Sequence, residues 1–199
     1  MAYFKCSKKI PQSKYIYDWD FTKSLYDKVQ NEPTTLYGDD SKIYQSANGL
    51  EIVSNGGYAK VGSINILEEG YTYEIDFGDM TPSFTTGTAC VWSRTNATAY
   101  GLRFNSSRGW YIYEGSSYDT QGTPCYDVEV FKNKRLKAIC TNNKLYIYCV
   151  DEINQTELNI FEGHRFFSGN KQSCFIGSKG YTYRNMIVKA FRMYRNIDE

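Results

Sequence analysis

Residues 135–151, RLKAICTNNKLYIYCVD, constrain the fold more than any other stretch, because they read as two strands joined by a two-residue turn. Asparagine tolerates the positive φ that a tight hairpin turn demands. With Asn142 and Asn143 as the loop, Thr141 faces Lys144 and Cys140 faces Leu145. Side chains alternate along a strand and cross-strand partners share a face, so Leu136, Ala138, Cys140, Leu145, Ile147 and Cys149 point one way, into a core. Arg135, Lys137, Ile139, Lys144, Tyr146, Tyr148 and Val150 point the other way, the mixture expected of a solvated or ligand-facing side of a sheet.

Short strands and turns recur along the chain. Residues 15–21 alternate aromatic or apolar side chains with Asp18 and Asp20, and residues 22–29 form a turn or a single helical turn. Residues 31–46 read as a loop holding a short strand at 42–45. Residues 49–53 and 58–66 read as paired strands across Asn55-Gly56-Gly57. In residues 71–77, YTYEIDF, Tyr71, Tyr73, Ile75 and Phe77 share one face and Thr72, Glu74 and Asp76 the other, which puts two carboxylates on an exposed face. Residues 80–87 read as a loop and 88–94 as a strand. Residues 100–114 form a hairpin around a loop at 105–109, with Leu102, Phe104, Trp110 and Ile112 inward and Arg103, Tyr111 and Tyr113 outward. Further strands are expected at 126–131, 158–161, 173–176 and 186–194, about a dozen in all. With no repeat, linker or long amphipathic helix, the pattern predicts an all-β, two-sheet antiparallel sandwich.

At 199 residues the chain suits one large β domain, here residues 14–199. The basic segment 1–13 falls outside the alternating pattern and reads as a disordered end or an attachment arm. Aromatic residues make up 17% of the sequence and 19 of them are Tyr, which favours strands over helix packing. Lysine and arginine balance aspartate and glutamate to a net charge of +1, so nothing points to nucleic acid or an anionic membrane surface as a partner. No apolar run reaches the length of a membrane span and the first residues lack the apolar stretch of a secretory signal; a soluble protein with reduced thiols is expected. The six cysteines and single His164 show no zinc spacing, and Asn96, Asn105 and Asn154 head chance sequons.

KRLKAICTNNKLYIYCVDE and CFIGSKGYTYRNMIVKAFRMYRN together resemble the C-terminal half of concanavalin A-like domains of the laminin G type, and YDWDFTKSLYDKV and residues 71–77 resemble segments of their bacterial and bacteriophage members. The resemblance covers nearly the whole chain. It implies a jelly-roll sandwich, with glycans bound on a concave sheet or its rim loops. Sugar recognition needs aromatic faces for the ring and planar polar groups for its hydroxyls. Glu74, Asp76, Arg103, Tyr111 and Tyr113, joined by Trp92 and Arg94 if their strand faces that way, are the candidate groove.

The resemblance also allows two other roles. Glu74-Ile75-Asp76-Phe77-Gly78-Asp79 is similar to the catalytic strand of laminarinase-type glycoside hydrolases, which implies Glu74 as nucleophile and Asp76 as its neighbour. Retention needs a second carboxyl about 5–5.5 Å away, yet Gly78 stands at that position and a bulged register offers only Asp79. The expectation is therefore a non-catalytic protein. The phage-encoded members imply a virion setting such as a capsid decoration, tail or baseplate, with glycan and other virion proteins as partners and self-association left open. No cofactor is expected, although relatives hold calcium at the sandwich rim and Asp39, Asp40 and Asp79 lie in expected loops.

Overall fold

The computed structural model describes residues 3–5, 15–54, 56–65, 68–81, 88–93, 100–114, 117–119, 125–164, 173–177 and 185–196. Among the described residues there are sixteen strands and no helix. In chain order they are β1 (Tyr3–Lys5), β2 (Tyr17–Asp20), β3 (Thr34–Tyr37), β4 (Ile43–Ser46), β5 (Gly49–Ile52), β6 (Tyr58–Asn65), β7 (Tyr71–Met80) and β8 (Thr88–Ser93). The second half supplies β9 (Tyr100–Asn105), β10 (Gly109–Glu114), β11 (Ser117–Asp119), β12 (Arg135–Thr141), β13 (Lys144–Asp151), β14 (Thr156–His164), β15 (Ser173–Ile176) and β16 (Met186–Arg195).

Two antiparallel sheets result. One runs β1-β14-β13-β12-β7-β16-β5-β4, with β2 also on β16 to make nine strands; the other has seven in the order β11-β10-β9-β8-β15-β6-β3. β16 pairs with β7 along its length, and its other edge is shared between β5 at residues 186–188 and β2 at residues 190–193. This is the expected two-sheet sandwich.

The central hairpin forms in the expected register, Thr141 opposite Lys144 and Leu136 opposite Cys149, with both turn asparagines at positive φ. Its two strands alternate buried and half-buried residues, so period-2 patterning alone assigned the core face. Val150 departs from that pattern, since it is buried on the outer side. β9 and β10 also pair as expected, with Trp110 opposite Phe104 and Ile112 opposite Leu102.

The expected pairing of residues 49–53 with 58–66 is overturned. β5 lies between β4 and β16 in the nine-stranded sheet, whereas β6 lies between β3 and β15 in the other. The chain therefore passes from one sheet to the other between β5 and β6, by way of Gly56 and Gly57, and Asn55 lies outside the described residues. Backbone amides of Val53 and Ser54 both donate to the Lys42 carbonyl there, and a Cβ on Gly57 would meet that oxygen at 2.4 Å, so only glycine fits. Three smaller expectations also change. β7 runs on to Met80, β3 lies inside the stretch read as loop, and residues 128–133 form turns where a strand was expected.

The core lies between the sheets and is almost wholly apolar or aromatic. Trp19, Trp92 and Trp110 are all buried, and each indole N–H has a partner: the Glu32 carbonyl, the Cys174 Sγ and the Asp127 carbonyl respectively. Tyr73 of one sheet meets Trp92 of the other with ring centroids 5.6 Å apart. Truncating one such ring to alanine removes about 3–5 kcal/mol. Cys125, Cys140, Cys149 and Cys174 are buried free thiols, as the hairpin register implied for Cys140 and Cys149.

Candidate functional site

The alternation that fills the core also builds the outer face of the nine-stranded sheet. Register across β2, β16, β7 and β12 lines up Asp18, Arg192, Glu74 and Lys137 in one row and Asp20, Ala190, Asp76 and Arg135 in the next. Ala190 is small, so both arginines reach Asp76. Arg192 Nη1 donates to its Oδ2 at 2.6 Å and Arg135 Nε to its Oδ1 at 2.5 Å. Arg135 Nη1 also lies 3.4 Å from Glu74 Oε2 and 3.1 Å from Glu152 Oε1, while Arg192 Nε lies 3.3 Å from Asp18 Oδ1. The Tyr194 hydroxyl donates to Glu74 Oε1 at 3.1 Å, and the Tyr15 ring covers this corner, 5.7 Å from both the Tyr194 ring and the Arg192 guanidinium.

The two carboxyls of this strand respond differently. Burial pushes Glu74 up; Arg135 pulls it back and the Asp76 charge raises it again, leaving it above the ordinary value. Burial opposes ionisation of Asp76 as well, but the hydrogen bond from Arg135 and the charge of Arg192 outweigh it and hold that carboxyl low. Glu74 is only 4% exposed, so the pair does not lie on the open face read from the alternation. Asp79, the acid a bulged register would offer, is tied to Lys132 at 3.0 Å. Chemically this is a neutralised charge lattice sealed by tyrosine.

Arg103, Tyr111 and Tyr113 come together elsewhere, on the outer face of the seven-stranded sheet. Tyr111 stands opposite Arg103 and Tyr113 opposite Gly101; the Arg103 guanidinium lies 4.3 Å from the Tyr113 ring centre and the two tyrosines meet edge to face at 6.5 Å. Arg103 and Tyr111 are buried, and Tyr113 is half-buried. Further along the same face Tyr37 stacks on Tyr58 at 4.7 Å, with Phe175 beside them. Trp92 does not join this face: it pairs with Leu102 and points into the core, 1% exposed. Arg94 lies outside the described residues. The single groove expected from these side chains is therefore divided, with Glu74 and Asp76 on one sheet, Arg103, Tyr111 and Tyr113 on the other, and the core between.

A cavity of about 230 Å³ opens where the core face reaches the end of the sheets. Tyr17, Met193, Tyr71 and Arg195 line it from β2, β16 and β7, and Ser63 and Ile64 from β6 of the opposite sheet. Phe191, Met193 and Arg195 follow one another at period 2, so Arg195 is the core-face residue that has run off the end of β16. It stands opposite Tyr71, its guanidinium 6.0 Å from that ring. The Tyr17 ring is backed by Trp19, 5.4 Å away and 15° from parallel. Glu68 completes the rim. Buried Ile64 and Met193 contribute apolar surface beside the Tyr17 and Tyr71 side chains, with Ser63, Glu68 and Arg195 as the polar part of the lining. The pairing of Arg195 with Tyr71, which no local pattern reveals, is the signal that identifies it.

Among the described residues no cluster of three or more His, Cys, Asp or Glu side chains is placed to hold a metal. Asp39 accepts from Lys42 Nζ at 2.8 Å, as Asp79 does from Lys132, so both are neutralised from within the chain.

No family profile matches the chain and no curated protein matches it in sequence. Solved structures do match. Domain 4 of AbnA, a GH43 extracellular arabinanase from Geobacillus stearothermophilus, solved in complex with arabinotriose, superposes with a TM-score of 0.58 at 14% identity over 92% of this chain and 93% of that one. Trypanosoma rangeli sialidase in complex with sialic acid gives 0.64 at 14% identity over 97% of this chain, which spans only 32% of the sialidase. The exoplasmic/lumenal domain of VIP36 in its Ca2+/Man3GlcNAc-bound form gives 0.53 at 12% identity, covering 89% and 90% of the two chains. At such identities the likeness is one of fold: the chain has a two-sheet antiparallel β-sandwich, concanavalin A-like in fold.

Proposed function

We propose that this chain is a non-catalytic carbohydrate-binding sandwich that takes the end of a glycan into the cavity between Tyr17, Tyr71 and Arg195. The observation that carries the reading is the cavity itself, which sets aromatic walls beside polar groups at its mouth. At about 230 Å³ it is smaller than the roughly 300–1,000 Å³ of drug-sized sites and suits one sugar ring rather than a long chain. The fold likeness to proteins solved with arabinotriose, sialic acid and Man3GlcNAc supports it. The laminin G-type resemblance adds a virion as the proposed setting, where a particle-borne domain would hold host glycans.

The non-catalytic part of the reading rests on the lattice around Glu74 and Asp76. A nucleophile needs a free oxygen facing its substrate, whereas Asp76 is claimed by two arginines and Glu74 is covered. The test is titration of the protein with a panel of mono- and oligosaccharides, followed by nuclear magnetic resonance shifts. Binding lost in Tyr71→Ala and kept in Tyr113→Ala places the site in the cavity. The opposite outcome moves it to the face of the seven-stranded sheet, and release of reducing ends from any sugar refutes the non-catalytic reading.

A further inference from the structure

The mouth of the cavity holds two charged groups, Arg195 and Glu68, with no oppositely charged partner among the described residues. Among the described residues no carboxylate pairs with Arg195, whose described contact is the Tyr71 ring at 6.0 Å. No described cation pairs with the Glu68 carboxylate either; the only hydrogen bond described at that residue is its backbone amide donating to the Tyr73 hydroxyl at 2.9 Å. On the neighbouring face Arg135 and Arg192 are met by four carboxylates between them, those of Asp18, Glu74, Asp76 and Glu152. Arg195 stands apart. It sits at the mouth of the cavity, beside the Tyr71 ring.

Building on the glycan reading, we infer that the sugar taken by this cavity is acidic, a pyranose carrying a carboxylate, with Arg195 as the carboxylate receptor. A guanidinium presents parallel N–H groups that match the two oxygens of a carboxylate, a geometry a neutral hydroxymethyl group cannot reproduce. The Tyr71 and Tyr17 rings border the space for the apolar face of the sugar. Ser63 and Glu68, on the rim, supply acceptors for its ring hydroxyls.

Pairs of methyl glycosides that differ only at C6, uronide against neutral hexoside, in the gluco, galacto and manno series, provide the test by calorimetric titration. At least one uronide is expected to bind tenfold or more tightly than its neutral partner, with the difference shrinking in high salt. In Arg195→Gln the ratio should fall to near one, and in Arg195→Lys it should fall only partly. Arg195 is exposed at a strand end, so these variants keep the core intact. Equal binding of the two members of every pair, or a preference that survives Arg195→Gln, overturns the acidic-sugar inference and leaves the glycan reading standing. Failure of every sugar, neutral or acidic, on the wild-type protein overturns both.

Discussion

Arg135 and Asp76 face each other on neighbouring strands and meet through two hydrogen bonds, Nε to Oδ1 at 2.5 Å and Nη2 to Oδ2 at 3.3 Å. Arg192 leans on the same carboxylate from β16. Asp76→Asn keeps the shape and removes the charge that both guanidiniums share. A loss of about 3 kcal/mol is expected, because two mostly buried cations lose the counter-ion they share, Arg135 keeping only Glu74 and Glu152 and Arg192 only Asp18. Urea unfolding monitored by tryptophan fluorescence checks this; a shift of under about 0.5 kcal/mol would show that the lattice is solvated.

Glu74 and Asp76 act on stability at opposite ends of the pH scale. A carboxyl raised in the folded state, as Glu74 is, contributes stability below its unfolded value of about 4.3 and loses it as pH climbs through the folded value. Glu74→Gln does not titrate. Its stability relative to wild type should therefore rise between about pH 4 and neutrality. Asp76, held low, contributes above its unfolded value of about 3.9 and loses that contribution as pH falls through its folded value, so the Asp76→Asn penalty shrinks in acid. Unfolding curves at four pH values separate the two; parallel pH profiles for both variants would contradict the assignment.

The hairpin turn is a third target. Asn142 and Asn143 sit at φ 54° and 59°, where a side chain with Cβ and no local hydrogen-bonding group costs roughly 1–2 kcal/mol. Asn143→Ala should destabilise by about 1 kcal/mol, and Asn143→Gly should match or exceed wild type. Equal midpoints for the two would mean that the turn relaxes.

Burial pushes the thiols of Cys149 and Cys174 up to about 12. Since the thiolate is the reactive form, native protein at pH 8 should leave both unlabelled by iodoacetamide, and urea should expose both. Peptide mass spectrometry reads the outcome. Rapid native labelling of Cys174 would mean that the core around Trp92 opens.

What could be read from the chain followed the range of the interactions involved. The central hairpin and the β9–β10 hairpin came out in register because turn chemistry and period-2 alternation are both local. The turn at residues 55–57 misled for the same reason. Asn-Gly-Gly reports that the chain reverses, but not whether the next strand returns to the same sheet. Glu74 and Asp76 were assigned to the correct face, yet that face is closed by Arg192, Tyr194 and Tyr15, which lie far away in the sequence and arrive through β16 and the segment before β2. Arg103, Tyr111 and Tyr113 were grouped correctly through their hairpin. Trp92 was not, because a register shift between Cys90 and Trp92 decides which way it points. The cavity was illegible for the same reason as the lattice: Tyr71 and Arg195 become neighbours only when β7 and β16 pair.

β16 lies in the interior of its sheet, yet it is the last strand in chain order. Among the described strands β2 pairs with β16 alone, so the earliest part of the domain waits for the latest. A chain that emerges from the ribosome N-terminal end first therefore exposes Trp19 and Ile75 until residues 186–195 are delivered. Contacts this distant in sequence make folding slow, and the core closes only once residues 186–195 pair with β2 and β7.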